Sequence, residues 1–228
     1  MSEYQYYEFQ AIDRPLTREE MVELRSCSSR ASISSTRFCN TYHFGSFKGN
    51  REEWMKRYFD AHLYTSNFGS RVFSLRFPIS WIDQEMIDFY QVEGALEFSK
   101  SSTHLIVSFF LDTEPDGYDE DEESDGVLAS LLPIRAALAS GDLRALYLGW
   151  LCGVENGLVE QGAAEPPVPA GLGAGDAALD SLVGFLNLRD LASMTGGTAE
   201  FREKLDGLVE LRRRKSAFMK QMQEAGLA

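Results

Sequence analysis

The chain has 228 residues, 44% of them hydrophobic and 12% aromatic, and a formal charge of −13. That is apolar material enough for one large domain or two small ones, so global disorder is excluded, and no run reaches the roughly 18 apolar residues of a membrane span. Three cysteines and an opening MSEYQYYEFQ without a basic or apolar leader point to a reducing cytoplasm, and the acidic balance repels nucleic acid except through a local basic patch.

Residues 3–12 are aromatic, lack Gly and Pro, and predict a strand that Asp13-Arg14-Pro15-Leu16 breaks. Thr17 with Glu20 three places on forms a capping-box pattern, and Met21, Leu24 and Cys27 follow at helical spacing. Residues 34–44, with Phe38, Tyr42 and Phe44, predict a second strand. Asn50 can cap a helix whose apolar stripe is Trp54, Tyr58, Phe59 and Leu63. Residues 71–77 alternate, with Phe73, Leu75 and Phe77 on one side and Val72, Ser74 and Arg76 on the other, the mark of a half-buried strand that Pro78 ends.

A short helix is expected over 80–91 through Trp81, Ile82, Met86, Ile87 and Tyr90, followed by strands at 94–99 and 103–111. The last is the most apolar run in the chain and is placed centrally in the sheet. Matching alternation predicts a sheet core of Phe73, Leu75, Phe77, Leu105, Val107 and Phe109, with Leu143, Leu146, Trp150 and Leu151 on a packing helix.

Residues 112–125 hold nine carboxylates and no basic residue, so most of the charge excess sits in one solvated loop. Beyond it the texture turns Leu- and Ala-rich, with two helices over 127–158 split at Gly141-Asp142. A Pro/Gly/Ala connector follows, and then a helical stretch interrupted near Gly196-Gly197. The fold class expected is α+β: an N-terminal mixed sheet with flanking helices in residues 1–160, a linker at 161–175, and an α-helical C-terminal extension at 176–228.

Catalytic chemistry is thin. Cys39 and His43, with Cys27 or His62, do not have the tight paired spacing of a zinc site. Cys39 or Cys152 with His43, His62 or His104 could form a thiolate dyad, but neither cysteine sits in a nucleophile motif. Asp121, Glu123, Asp125 and Gly126 partly match a calcium loop, but Leu132 stands where the bidentate Glu is needed. Arg212, Arg213, Arg214 and Lys215 form a basic tail that suits either a helix C-terminus or phosphates.

Longer strings are more informative. MSEYQYYEFQAIDRPLT, NREEWMKRYFDAHLYTSNFGSR, SGDLRALYLGWL and AEPPVPAGLG resemble a widespread family of uncharacterised bacterial proteins, over residues 1–175 and 188–227. Members of that family carry a long charged helical region where Leu186-Asn187-Leu188 here joins LVGFL to RDLAS directly. The chain also resembles the accessory-protein family of type III-E CRISPR systems. That resemblance implies a non-enzymatic regulator, without cofactor or metal, whose amino-terminal part binds an extracytoplasmic-type sigma factor. It further implies that the caspase-like CHAT protease of the RNA-guided effector cuts the chain between Met219 and Lys220, reading Ala217, Phe218 and Gln221 around the bond. No membrane or direct nucleic-acid contact is expected. The competing readings are a cysteine-dependent enzyme and a nucleic-acid-associated accessory protein that uses the basic tail.

Overall fold

The computed structural model describes residues 4–188, apart from Phe44, Ser46, residues 114–123, residues 161–162 and Gly173. Its centre is a seven-stranded sheet in the order β2-β3-β1-β4-β5-β7-β6. The strands are β1 (Gln5–Gln10), β2 (Ser32–Ile33), β3 (Arg37–Tyr42), β4 (Ala61–Ser66), β5 (Ser70–Pro78), β6 (Leu96–Lys100) and β7 (His104–Asp112). The α+β class holds. Every strand pairing is antiparallel, so the sheet is not mixed in direction.

The helices form where local chemistry starts them. In α1 (Arg18–Cys27) the Thr17 side chain accepts from the Glu20 backbone N–H while the Glu20 carboxylate accepts from Thr17, the reciprocal box expected. In α2 (Arg51–Arg57) Asn50 caps the Glu53 N–H. This helix stops at Arg57, and Leu63 belongs to β4, which the sequence reading had merged into the helix. All six β4 residues are buried, so the strand shows no alternation, and Tyr58, Phe59 and Leu63 imitate a helical stripe.

The sheet has two covered faces. On one, Leu63, Phe73, Leu75, Phe77, Leu105, Val107 and Phe109 are all 0% exposed. They pack with α4 (Val127–Leu131), α5 (Pro133–Ala139), α6 (Arg144–Glu155) and α7 (Ala177–Phe185). On the other, Tyr7, Phe9, Phe38, Tyr64, Val72 and Ile106 pack with α1 and α2 around Trp54 and Phe59. The predicted core residues are in place, but β5 is not half-buried. Val72, Ser74 and Arg76 are enclosed as well. Nor is β7 central: it lies next to the edge strand β6, with β4 in the middle.

Two further expectations change. The 80–91 helix is a 3₁₀ turn at Ile79–Trp81 and then α3 (Gln84–Asp88), with Ile87 and Tyr90 buried but Trp81 exposed. The 127–158 stretch is three helices rather than two, because Pro133 begins α5 directly after α4.

α6 lies very close to the sheet: a Cβ at Gly149 would sit 3.0 Å from Phe109, and one at Gly153 would sit 2.7 Å from Val92. The segment leading to α7 is tied down by the Tyr147 hydroxyl on Glu165 and the Tyr90 hydroxyl on the Pro167 carbonyl, each at 2.6 Å. α7 ends in a Schellman stop: Asn187 takes a left-handed φ of 53°, its N–H donates to Gly184, and the Leu188 N–H donates to Val183. That turn returns Leu188 to the core, where it is fully buried. Among the described residues no helix is long and apolar enough to cross a membrane.

Candidate functional site

The sheet separates the cysteine and histidine candidates. Cys39 pairs with Glu8, and Glu8 with Leu63, so the thiol shares the α4–α7 face of the sheet. Cys152, buried in α6, lies on that same side with Sγ 3.7 Å from the Phe110 carbonyl. His62 points to the opposite face, stacked on Phe9 with ring centroids 4.0 Å apart. His43 lies against Tyr4, and His104 Nδ1 meets the Thr103 hydroxyl at 2.8 Å. Burial pushes the Cys39 thiol above its usual range, against the opposing pull of the Tyr6 hydrogen bond and Arg37. None of the Cys–His dyads named above is assembled. Among the described residues no group of three or more His, Cys, Asp and Glu side chains is placed to hold a metal. Asp121, Glu123, the basic tail and the segment Ala217, Phe218, Met219, Lys220 and Gln221 lie outside the described residues.

A polar cluster fills the β1–β3 side of the helical face. Buried Glu8 accepts from Arg37 and, at 2.8 Å, from the Tyr6 hydroxyl. Burial first, then Cys39 and Glu8, hold the Tyr6 hydroxyl far above its ordinary range. Arg37 also reaches Asp125 at 2.7 Å, and Thr65 meets Ser124 at 2.9 Å. One end of the acidic stretch is therefore fastened to the sheet.

Two concavities stand out. The first is a cleft of about 350 Å³ on the α1–α2 side of the sheet. Arg51, Glu52 and Met55 of α2 line it with His62 of β4, Val72 and Ser74 of β5, Ile106, Ser108 and Phe110 of β7, and the β6 residues Glu97, Phe98 and Ser99. Ser74 and Ser108 hydroxyls are 2.8 Å apart on its floor. His62 Nδ1 is 3.0 Å from the Glu8 carbonyl, so Nδ1 carries the hydrogen and Nε2 the lone pair. Nε2 is buried with no hydrogen-bond partner among the described residues. Burial, helped by Arg51 and opposed by the Glu8 carbonyl, lowers this imidazole to about 3, so it is neutral at physiological pH.

The second is an apolar groove of about 660 Å³ at the end of the sheet. Ile12 and Trp81 face Leu132, Pro133, Ala136 and Ala139 of α4–α5 across it. Trp81 and Ile12 remain 48% and 42% exposed. The Arg135 guanidinium lies 5.5 Å from the Trp81 ring and is fixed by Asp13 at 2.7 Å and the Arg76 carbonyl at 2.9 Å.

Sequence reasoning missed both places. Trp81 had been counted in a buried helical stripe, and His62 had been weighed only with cysteines that lie across the sheet. The detectable signal at Trp81 was its position three residues beyond Pro78, at a chain turn rather than inside a helix. Comparison with protein-family models, with curated proteins and with solved structures finds no match for this chain.

Proposed function

We propose that the chain is a non-enzymatic regulatory protein that works by holding a protein partner. The observation supporting this is the apolar groove at Trp81. It offers an exposed tryptophan beside a clamped arginine, the side chains enriched at interface hot spots, above a floor of small apolar residues. Such a groove takes the apolar face of a partner helix. The resemblance to type III-E CRISPR accessory proteins supplies the partners of this proposal. The folded part holds an extracytoplasmic-type sigma factor, and the caspase-like CHAT protease cuts between Met219 and Lys220 in a bacterial defence response.

The test is calorimetric titration of the sigma factor into the full chain and into Trp81→Ala and Ala136→Glu. Each variant should lose roughly tenfold or more in affinity, as expected for a hot spot. Unchanged affinity in both would remove the groove from the reading. Incubation with the activated protease should release a fragment beginning Lys220-Gln221-Met222, and Met219→Asp should abolish it. Cleavage elsewhere, or none, would defeat the protease-substrate half of the proposal.

A further inference from the structure

The partnerless nitrogen of His62 is the second unusual feature. A buried acceptor left unpaired costs free energy comparable to a lost hydrogen bond, and folded proteins carry few of them. This one lies on the wall of a cavity. The two nitrogens of an imidazole diverge, so a ring that turns Nδ1 toward β1 turns Nε2 away from it, to the β5–β7 side where the cleft lies. The ring is held there by its stack on Phe9. An acceptor fixed by a backbone bond on one side and an aromatic ring beneath is preorganised for a donor arriving through the cleft.

The lining narrows what that donor belongs to. Met55, Val72 and Ile106 provide apolar walls, and the Ser74–Ser108 hydroxyl pair provides one polar spot. One arginine and two glutamates line the cleft, so it has no excess of positive charge for an anion, and a cation would meet Arg51. We propose that the cleft is a small-molecule site for a flat, uncharged ring bearing one N–H or O–H group, of the indole or phenol type, which donates to His62 Nε2. His62 acts here as a recognition acceptor, and its persistently neutral state suits it to accept rather than to transfer protons. The site is separate from the Trp81 groove and does not depend on what that groove holds.

The experiment uses the full chain labelled with ¹⁵N-histidine, titrated with indole and with 1-methylindole. It is followed by long-range ¹H–¹⁵N spectra of the His62 ring and by calorimetry. Indole should bind saturably and shift the Nε2 resonance. The methylated analogue, which has no N–H to give, should bind roughly tenfold or more weakly and leave Nε2 in place. His62→Phe preserves the stack on Phe9 and should erase the discrimination between the two probes. If circular dichroism shows His62→Phe unfolded, Ser108→Val serves instead: it crowds the cleft floor without touching the imidazole and should weaken indole by a similar factor. Absence of indole binding, an Nε2 signal unmoved at saturation, equal affinity for the two probes, or undiminished binding by Ser108→Val would each overturn the proposal.

Discussion

Two N–H groups of Arg76 converge on a single carboxylate oxygen of Asp60, Nε at 3.0 Å and Nη2 at 2.5 Å, in the closed interior between β4 and β5. The other Asp60 oxygen accepts from the Ile12 and Asp13 backbone N–H groups at 2.6 and 2.9 Å. Both oxygens are thereby used, which is the condition under which a buried ion pair is tolerated. Arg76→Met should cost about 3–5 kcal/mol, because it leaves a buried carboxylate without its cation. Adding Asp60→Asn to that variant should recover part of the loss, since the amide oxygen still serves the two N–H groups. Urea unfolding at neutral pH measures both. Burial raises the Asp60 carboxyl, but the two N–H groups and Arg76 outweigh it and hold the group below the ordinary aspartate range. Its contribution is therefore present above that range and disappears as the pH falls through the lowered value.

His62 imposes a different pH dependence. In the unfolded chain its imidazole titrates near 6.5, whereas in the fold it titrates at about 3. Between those values the unfolded state binds the extra proton, so stability is full above about pH 6.5 and falls as the solution is acidified. From pH 6.5 to 5 the loss attributable to this fully buried group is about 2 kcal/mol. His62→Phe should flatten the stability profile over that interval, as read from denaturation midpoints. A variant as pH-sensitive as the parent would show the imidazole to be protonated in the fold.

The α6–sheet contact sets a packing prediction. Trp150, 5% exposed and stacked on Tyr147 at 5.7 Å, should cost about 3–5 kcal/mol when cut to Ala. Gly153→Ala should also destabilise, by about 1–3 kcal/mol, although Ala is the better helix former. The new methyl would stand 2.7 Å from Val92 Cγ1. Val92→Ala in the same chain should relieve the clash, and recovery in the double variant identifies close approach as the cause.

At the end of α7 the backbone decides the outcome. Asn187→Gly should be neutral or slightly stabilising, because glycine adopts a φ of 53° without steric penalty. Asn187→Ala should cost about 1 kcal/mol, a fall of roughly 2–4 °C in melting temperature for a chain of this size. Thermal scans of the two variants side by side check this.

What could be read in advance was what local chemistry dictates. The Thr17–Glu20 box and the Asn50 cap are self-contained patterns, and the alternation of β5 and β7 selected core residues that are indeed fully enclosed. β4 was hidden because both of its faces are covered, which removes the polar half of the alternation. The off-centre position of β7 was unreadable because strand order depends on which distant segments pair, not on apolar content. The two concavities draw on side chains far apart in the chain: His62 meets residues of α2, β5, β6 and β7, and Trp81 meets α5. No spacing in the sequence encodes such meetings.

The three tryptophans occupy three different surroundings, which equips the molecule with its own optical labels. Trp54 lies among Phe9, Phe38 and Phe47 on one side of the sheet, Trp150 beside Tyr147 on the other, and Trp81 in the groove beneath Arg135. Variants keeping one tryptophan each, the others replaced by phenylalanine, would report separately on each side and on the occupied groove. Strand β5 supplies alternate residues to both cores. Neither side can therefore lose its packing while the other keeps a straight backbone, and the Trp54 and Trp150 signals should vanish at one and the same denaturant concentration.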